Sequence, residues 1–148
     1  MQTAPTARLR HAGIVVDDLH RALAFYRDLL GLPVVAHMEE SGPVLDAILG
    51  LTAVRVTTIK LGEPPGPLVE LLHFEEPASP PRLPGATHVP GLRHVAFTVA
   101  DLDGLHEKMT AAGVGFLAPP QCSADGRVKV TYCRDFEGNF VELVEVLS

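Results

Sequence analysis

Leu9-Arg10-His11-Ala12-Gly13-Ile14-Val15-Val16-Asp17-Asp18 decides the reading of this chain, because Leu92-Arg93-His94-Val95-Ala96-Phe97-Thr98-Val99-Ala100-Asp101 says the same thing again. Each stretch runs Leu-Arg-His, then an apolar segment, then aspartate and a helix-like segment. Each half also closes on Val-Glu-Leu: Val69-Glu70-Leu71 in the first and Val141-Glu142-Leu143 in the second. Self-similarity of this kind marks two copies of one supersecondary unit. Both copies carry a histidine on the first expected strand and a glutamate on the last. Four candidate metal ligands follow: His11, Glu70, His94 and Glu142.

Working outward, residues 8–16 predict a strand, with β-branched Ile14, Val15 and Val16. Asp17 or Asp18 is placed to cap a helix, since a short carboxylate accepts from the free N–H groups of a first turn. Leu19, Leu23, Tyr26 and Leu30 then form a stripe at helical spacing. Gly31 and Pro33 end that helix. Residues 32–38 predict a strand, 41–51 a short amphipathic helix bearing Val44, Leu45, Ile48 and Leu49, and 54–61 and 68–74 two more strands around the Gly62–Pro67 turn. The second half repeats the plan. Strands are expected at 93–99, 114–117, 127–133 and 139–146. Asp101 caps a helix with Leu102, Leu105, Met109 and Ala112 on one face, and Gly113 ends it. Each half reads β-α-β-β-β, and the fold class is α+β. The expected organisation is one domain, 1–148, with a first module over 8–75 and a second over 92–148. Between them, 76–91 forms a stiff linker containing Pro77, Pro80, Pro81, Pro84 and Pro90.

Composition narrows the function classes. The chain has 148 residues, 47% hydrophobic and 20% charged, which is globular rather than disordered. A net charge of −6 with no basic cluster on one face argues against nucleic acid. No apolar run approaches the ~20 residues of a membrane span. Met1-Gln2-Thr3-Ala4-Pro5 lacks the basic-then-apolar pattern of a signal peptide. Cys122 and Cys133 fit no close-spaced metal motif, and free thiols are expected. The expectation is a cytoplasmic protein acting on a small molecule, with neither nucleic-acid nor membrane partners.

Strand alternation places His11 with Leu9 and Gly13, Glu70 with Leu68 and Leu72, His94 with Leu92 and Ala96, and Glu142 with Phe140 and Val144. The expectation is an inward face, where an unpaired carboxylate is costly. Taken singly, a strand histidine is more often a satisfied core or edge residue, and a strand glutamate more often faces solvent. Matched placement in both halves favours ligation. Two imidazoles and two carboxylates suit one divalent ion among Zn, Ni, Co, Mn and Fe(II), with coordination positions left for substrate.

These motifs resemble the vicinal oxygen chelate superfamily. It spans glyoxalase I, methylmalonyl-CoA epimerase, extradiol dioxygenases, fosfomycin-resistance enzymes and metal-free bleomycin-resistance proteins. The resemblance runs from Leu9 to Val146. It rests on Leu9-Arg10-His11, Phe25-Tyr26-Arg27-Asp28-Leu29-Leu30-Gly31-Leu32, Val69-Glu70-Leu71-Leu72, Leu92-Arg93-His94-Val95-Ala96-Phe97, and Arg134-Asp135-Phe136-Glu137-Gly138-Asn139 before Val141-Glu142-Leu143. Phe136 stands where the family usually has proline. The resemblance implies paired modules whose sheets curl around a shared metal cleft, ligands at His11, Glu70, His94 and Glu142, and a homodimer. It leaves open whether a site forms within one chain or across two. Glu70, where ring-cleaving dioxygenases and fosfomycin enzymes typically carry histidine, points to the glyoxalase and epimerase branch.

The implied chemistry is proton transfer at a carbon next to a metal-chelated carbonyl, by an isomerase, epimerase or lyase. Glu142 is the first candidate base and Glu70 the second. An extradiol Fe(II) dioxygenase is one alternative, and a non-catalytic antibiotic-binding protein another. The absence of Trp weakens the latter. Among the other histidines, His20 and His106 are expected in solvent on helices, and His73 opposite to Glu70. His37 is a minor candidate near substrate, and His88 has no better claim. One of Tyr132 and Cys133 is expected to line the cleft. Arg10 and Arg93 should point away from the ligands into surface ion pairs.

Overall fold

The computed structural model describes residues 5–83 and 85–147. The first four residues, Pro84 of the linker and Ser148 lie outside the described residues. The chain divides into two compact units, Met1–Pro80 and Pro81–Ser148. Among the described residues, no helix is long and apolar enough to cross a membrane.

The first unit comprises β1 (His11–Val15), α1 (Leu19–Leu23), β2 (Val34–Ser41), α2 (Pro43–Leu49), β3 (Arg55–Leu61) and β4 (Leu68–Glu76). Its strands form one sheet in the order β1-β4-β3-β2. β1 and β4 run parallel, and the remaining pairs are antiparallel. A parallel pair needs a crossover between its members, and everything between β1 and β4 supplies it. The second unit comprises β5 (His94–Thr98), α3 (Leu102–Ala111), β6 (Gln121–Cys122), β7 (Val128–Arg134) and β8 (Phe140–Val146). Its sheet has the order β5-β8-β7-β6, with β5 and β8 parallel. The α+β class and the repeat are therefore as expected from the sequence.

Both expected caps form. Asp18 accepts from Arg21 N at 3.0 Å and Asp101 from Gly104 N at 3.0 Å. The first helix departs from a single α-helix. After Leu23 it widens into a π-helical stretch, Ala24–Leu29, with Leu30 N donating to Phe25 O at 3.0 Å. The wider turn rotates the buried stripe. Ala22, Phe25 and Tyr26 are fully buried, while Leu19, Leu23 and Leu30 of the expected stripe are only half-buried. Gly31, at φ 75°, then takes a left-handed turn that a Cβ would strain.

Three further expectations change. Residues 114–117 are not a strand; Phe116 makes a single bridge to Cys133, and the edge strand is the two-residue β6. Val114 instead closes the end of α3, its N–H donating to Met109 O at 3.0 Å. β4 continues through Glu76, into the start of the expected linker. The helix at 41–51 forms as α2 but buries none of its residues, and Val44 and Ile48 are each 73% exposed. It follows that its apolar pattern does not serve the core.

In both sheets one face is the core. Val69, Leu71, Ile59 and Leu61 alternate into it in the first unit, as do Val141, Leu143 and Cys133 in the second. The turn Asp135–Asn139 aims β8. Asp135, nearly buried, accepts from Glu137 N at 2.9 Å, Asn139 N at 2.8 Å and Asn139 Nδ2 at 2.8 Å. This gives the carboxylate the partners a buried charge requires.

The alternation along β8 is testable by truncation. Leu143→Ala should cost about 2–5 kcal/mol of stability, while Val146→Ala, at a side chain 61% exposed, should stay within about 0.5 kcal/mol of the parent. Urea denaturation followed by circular dichroism measures both.

Candidate functional site

The parallel pairing sets the geometry of the first unit. Gly13 lies opposite Glu70, and His11 opposite Leu68. His11 and Glu70 are thus diagonal neighbours on one face, separated by the small Gly13. His11 Nε2 stands 3.6 Å from Glu70 Oε1. The antiparallel register with β3 brings Lys60 opposite Glu70, and Lys60 Nζ lies 3.5 Å from Glu70 Oε2. Glu70 therefore has imidazole on one side and ammonium on the other.

The second unit repeats this arrangement with one substitution. Ala96 lies opposite Glu142, and His94 opposite Phe140. His94 Nε2 stands 3.1 Å from Glu142 Oε2. In the place of Lys60 is Tyr132, opposite Glu142 on β7. Its ring packs edge-on against His94 at 5.2 Å between centroids. Its hydroxyl lies 3.5 Å from His94 Nε2. Desolvation, followed by the charge and hydrogen bonding of Glu142, raises the phenol above its usual value, so it is a neutral group at neutral pH.

The sequence expectation of an inward face is corrected. His11, Glu70, His94 and Glu142 alternate away from the core, on the half-exposed face of each sheet; Val69, Leu71, Val141 and Leu143 take the inward positions. The carboxylates are more sheltered than the imidazoles, at 13% and 21% side-chain exposure against 33% and 41%. Partly open carboxylates retain access to a ligand, which a core position would deny them.

Donor spacing tests whether a metal fits. Two donors each about 2.1 Å from one ion lie roughly 3.0 Å apart at octahedral angles and roughly 3.4 Å apart at tetrahedral ones. The observed 3.1 and 3.6 Å are of that size. Each pair also combines imidazole nitrogen with carboxylate oxygen, a donor set suited to first-row divalent ions. Each unit supplies two such donors. Among the described residues no group of three or more His, Cys, Asp or Glu side chains forms a cluster that could hold a metal.

The remaining candidates fall as follows. His73 turns opposite to Glu70, its Nδ1 3.1 Å from Val16 O. His37 pairs with Ile59, hence on the face away from Glu70, which removes it as a group near substrate. His20 is exposed and His88 lies in the linker. His106 is half-buried against the Phe116 ring, 4.4 Å between centroids, rather than in solvent. Neither Arg10 nor Arg93 makes an ion pair among the described residues. Arg93 donates to Pro90 O at 3.3 Å, and Arg10 borders a cavity that His11 shares. Sequence reasoning missed Lys60, and it left Tyr132 as one of two options. Lys60 was legible from alternation once the hairpin register across Gly62–Pro67 is known; that register depends on turn geometry, which a strand pattern does not contain.

Residues 8–143 match the family model described as the Glyoxalase/Bleomycin resistance protein/Dioxygenase superfamily. The ethylmalonyl-CoA/methylmalonyl-CoA epimerase of Cereibacter sphaeroides is 31% identical over 145 residues, covering 94% of this chain and 98% of that protein. A glyoxalase family protein from Bacillus cereus superposes with a TM-score of 0.85 at 24% identity, covering 100% of this chain and 99% of that one. The trypanothione-dependent glyoxalase I of Leishmania major gives a TM-score of 0.66 at 23% identity, covering 95% and 87%. The two structures carry the likeness of fold.

Cys133 is set apart from any nucleophilic role. It lies on the core face, fully buried, and burial, followed by the charge of Asp135, pushes its thiol up to about 12. Below that pH the thiol keeps its proton, and the thiolate is the reactive form. At pH 8 iodoacetamide should label the native protein once, at exposed Cys122, and label both cysteines in denaturant. Mass spectrometry of the intact protein counts the adducts; rapid native labelling of Cys133 would contradict its placement. Since burial holds the folded thiol above its ordinary value of 9.0, its contribution to stability declines as pH rises from about 9 toward 12.

Proposed function

This chain belongs to the Glyoxalase/Bleomycin resistance protein/Dioxygenase superfamily, and we propose that it is a divalent-metal isomerase, epimerase or lyase acting on a small oxygenated substrate. Its reaction is proton transfer at a carbon next to a carbonyl. The observation that carries this reading is the matched His–Glu pair, at ligand spacing, on the open face of each unit's sheet. The epimerase relative supports the branch of chemistry.

His11, Glu70, His94 and Glu142 would hold one divalent ion among Zn, Ni, Co, Mn and Fe(II). When bound, such an ion supplies Lewis acidity that polarises a carbonyl and acidifies the neighbouring C–H. Glu142 is the base. Its neighbours are His94 and the neutral Tyr132 hydroxyl, and a carboxylate placed so can leave one partner and accept a proton. Glu70 is the second candidate, but Lys60 engages its other oxygen and ties it in place. In an epimerase, one carboxylate removes the proton from one side and a protonated group returns one to the other, with no net change in atoms. In a glyoxalase-type isomerase, the same carboxylate removes and redelivers it. The working form is a homodimer in the cytoplasm.

Elemental analysis of protein purified without chelator should give one ion per four-ligand set, and His94→Ala should lose most of it. Glu142→Gln should keep much of the metal, because an amide still offers an oxygen, and lose proton transfer by at least ~100-fold. Glu70→Gln should be milder. Solvent deuterium incorporation into a panel of acyl-CoA esters and 2-oxoaldehyde hemithioacetals provides the readout. No exchange by the metal-loaded parent with any of them would overturn the reaction class. Sedimentation velocity at micromolar concentration tests the dimer.

A further inference from the structure

Lys60 meets Glu70 from the side opposite His11. The two groups face different oxygens of one carboxylate: His11 Nε2 lies 3.6 Å from Oε1, and Lys60 Nζ 3.5 Å from Oε2. Strand register fixes this division. Lys60 lies opposite Glu70 on β4 and opposite Ala36 on β2, so it has the carboxylate on one side and only a small neighbour on the other. Both side chains are mostly sheltered, Glu70 more than Lys60, and salt screens such a pair less than an exposed one. A cavity of about 370 Å³ opens beside them. Its lining includes His11, Lys60, Arg8, Arg10 and the Pro64–Pro65 wall, but not Glu70. On that side the wall of this cationic cavity is therefore Lys60, not the carboxylate that Lys60 holds. In the second unit the equivalent place beside Glu142 belongs to Tyr132, a neutral group.

We propose that Lys60 is a positioning residue that limits Glu70 to a single ligand oxygen, Oε1, and so leaves room at the metal for substrate. A carboxylate free on both sides can hold a divalent cation through both oxygens. With Oε2 engaged by an ammonium, Glu70 offers only Oε1, the oxygen beside the His11 imidazole. Two consequences follow from the charge and the count of donors. An ammonium this near a dication repels it, so Lys60 lowers the affinity for metal. The position that Oε2 would otherwise fill stays open, and an open position is what separates a catalytic metal site from a structural one. The inference rests on the proposed four-ligand site and adds a sign to it. Removing Lys60 strengthens metal binding, whereas removing a mere structural support for Glu70 would weaken it.

Cobalt(II) is the probe, because its visible absorption weakens as its coordination number rises. Affinity is measured on the full chain, stripped of metal, by competition with a chromophoric chelator, and thermal melting checks that each variant folds. Lys60→Met should bind cobalt at least ~10-fold more tightly than the parent, as removal of a nearby like charge requires. Its visible absorption should be weaker, because Glu70 then adds its second oxygen. Lys60→Arg keeps the cation and should match the parent in both measurements. Equal affinity with an unchanged spectrum in Lys60→Met overturns the inference, and so does weaker binding. His94→Ala tests the four-ligand reading separately, since a shared ion requires it to lower the affinity of both the parent and Lys60→Met. If His94→Ala changes neither while Lys60→Met still binds more tightly, the shared site falls and the role of Lys60 stands. Cobalt bound by neither the parent nor Lys60→Met overturns both.

Discussion

The parallel pairing of the first and last strand of each unit is the constraint on which the rest depends. A parallel pair admits no tight turn, so each unit must send its chain out through a helix and back through antiparallel strands before the last strand can lie beside the first. The register that results, Gly13 against Glu70 and Ala96 against Glu142, places each histidine one pleat repeat from its glutamate and on the same side. At position 13 an added Cβ would meet Leu72 Cδ1 at 3.5 Å, an ordinary contact. A one-residue slip of either pair would send the glutamate to the core face, where Leu71 and Leu143 now lie.

That register also divides the labour between the faces. The helix-covered side is apolar and tightly packed, with Phe25, Tyr26, Leu102 and Met109 fully buried. It accepts few polar groups, and where it does they are satisfied, as His73 is by Val16 O. The opposite side is free to carry charge. Lys60 and Tyr132 occupy equivalent places beside the two glutamates, and the difference between them makes the repeat chemically unequal. One carboxylate faces an ammonium and the other a neutral phenol. A symmetrical scaffold thus gives its two glutamates unlike surroundings, the difference on which the proposed assignment of the base rests.

The cationic cavity follows from the same arrangement. Arg8 and Arg10 precede β1 on the segment that leads directly into His11, and Arg10 O accepts from Leu68 N at the start of β4. The segment is therefore tied to the sheet edge where Lys60 and the Pro64–Pro65 wall also end. The guanidiniums and the His11 imidazole are close in sequence because one short stretch of backbone carries both.

Much of this was legible in the chain. Repeated Leu-Arg-His and Val-Glu-Leu segments, with aspartate caps at Asp18 and Asp101, determined the two-unit plan, the first and last strands, and the four candidate ligands, because these are local patterns of alternation and capping. Strand alternation alone does not say which face is the core, so His11 and Glu70 were expected inward and lie outward; burial of a face is decided by what packs against it. Nor does it give cross-strand partners, which is why the sequence carries no signal for Lys60 and leaves His37 a minor candidate near substrate. The π-widening after Leu23 was hidden too, since a helical stripe assumes a constant turn and Phe25 and Tyr26 are buried together only where the turn opens. Tertiary structure decided these points because each depends on contacts between residues far apart in sequence, whose register is set by turns and packing rather than by the pattern along any one strand.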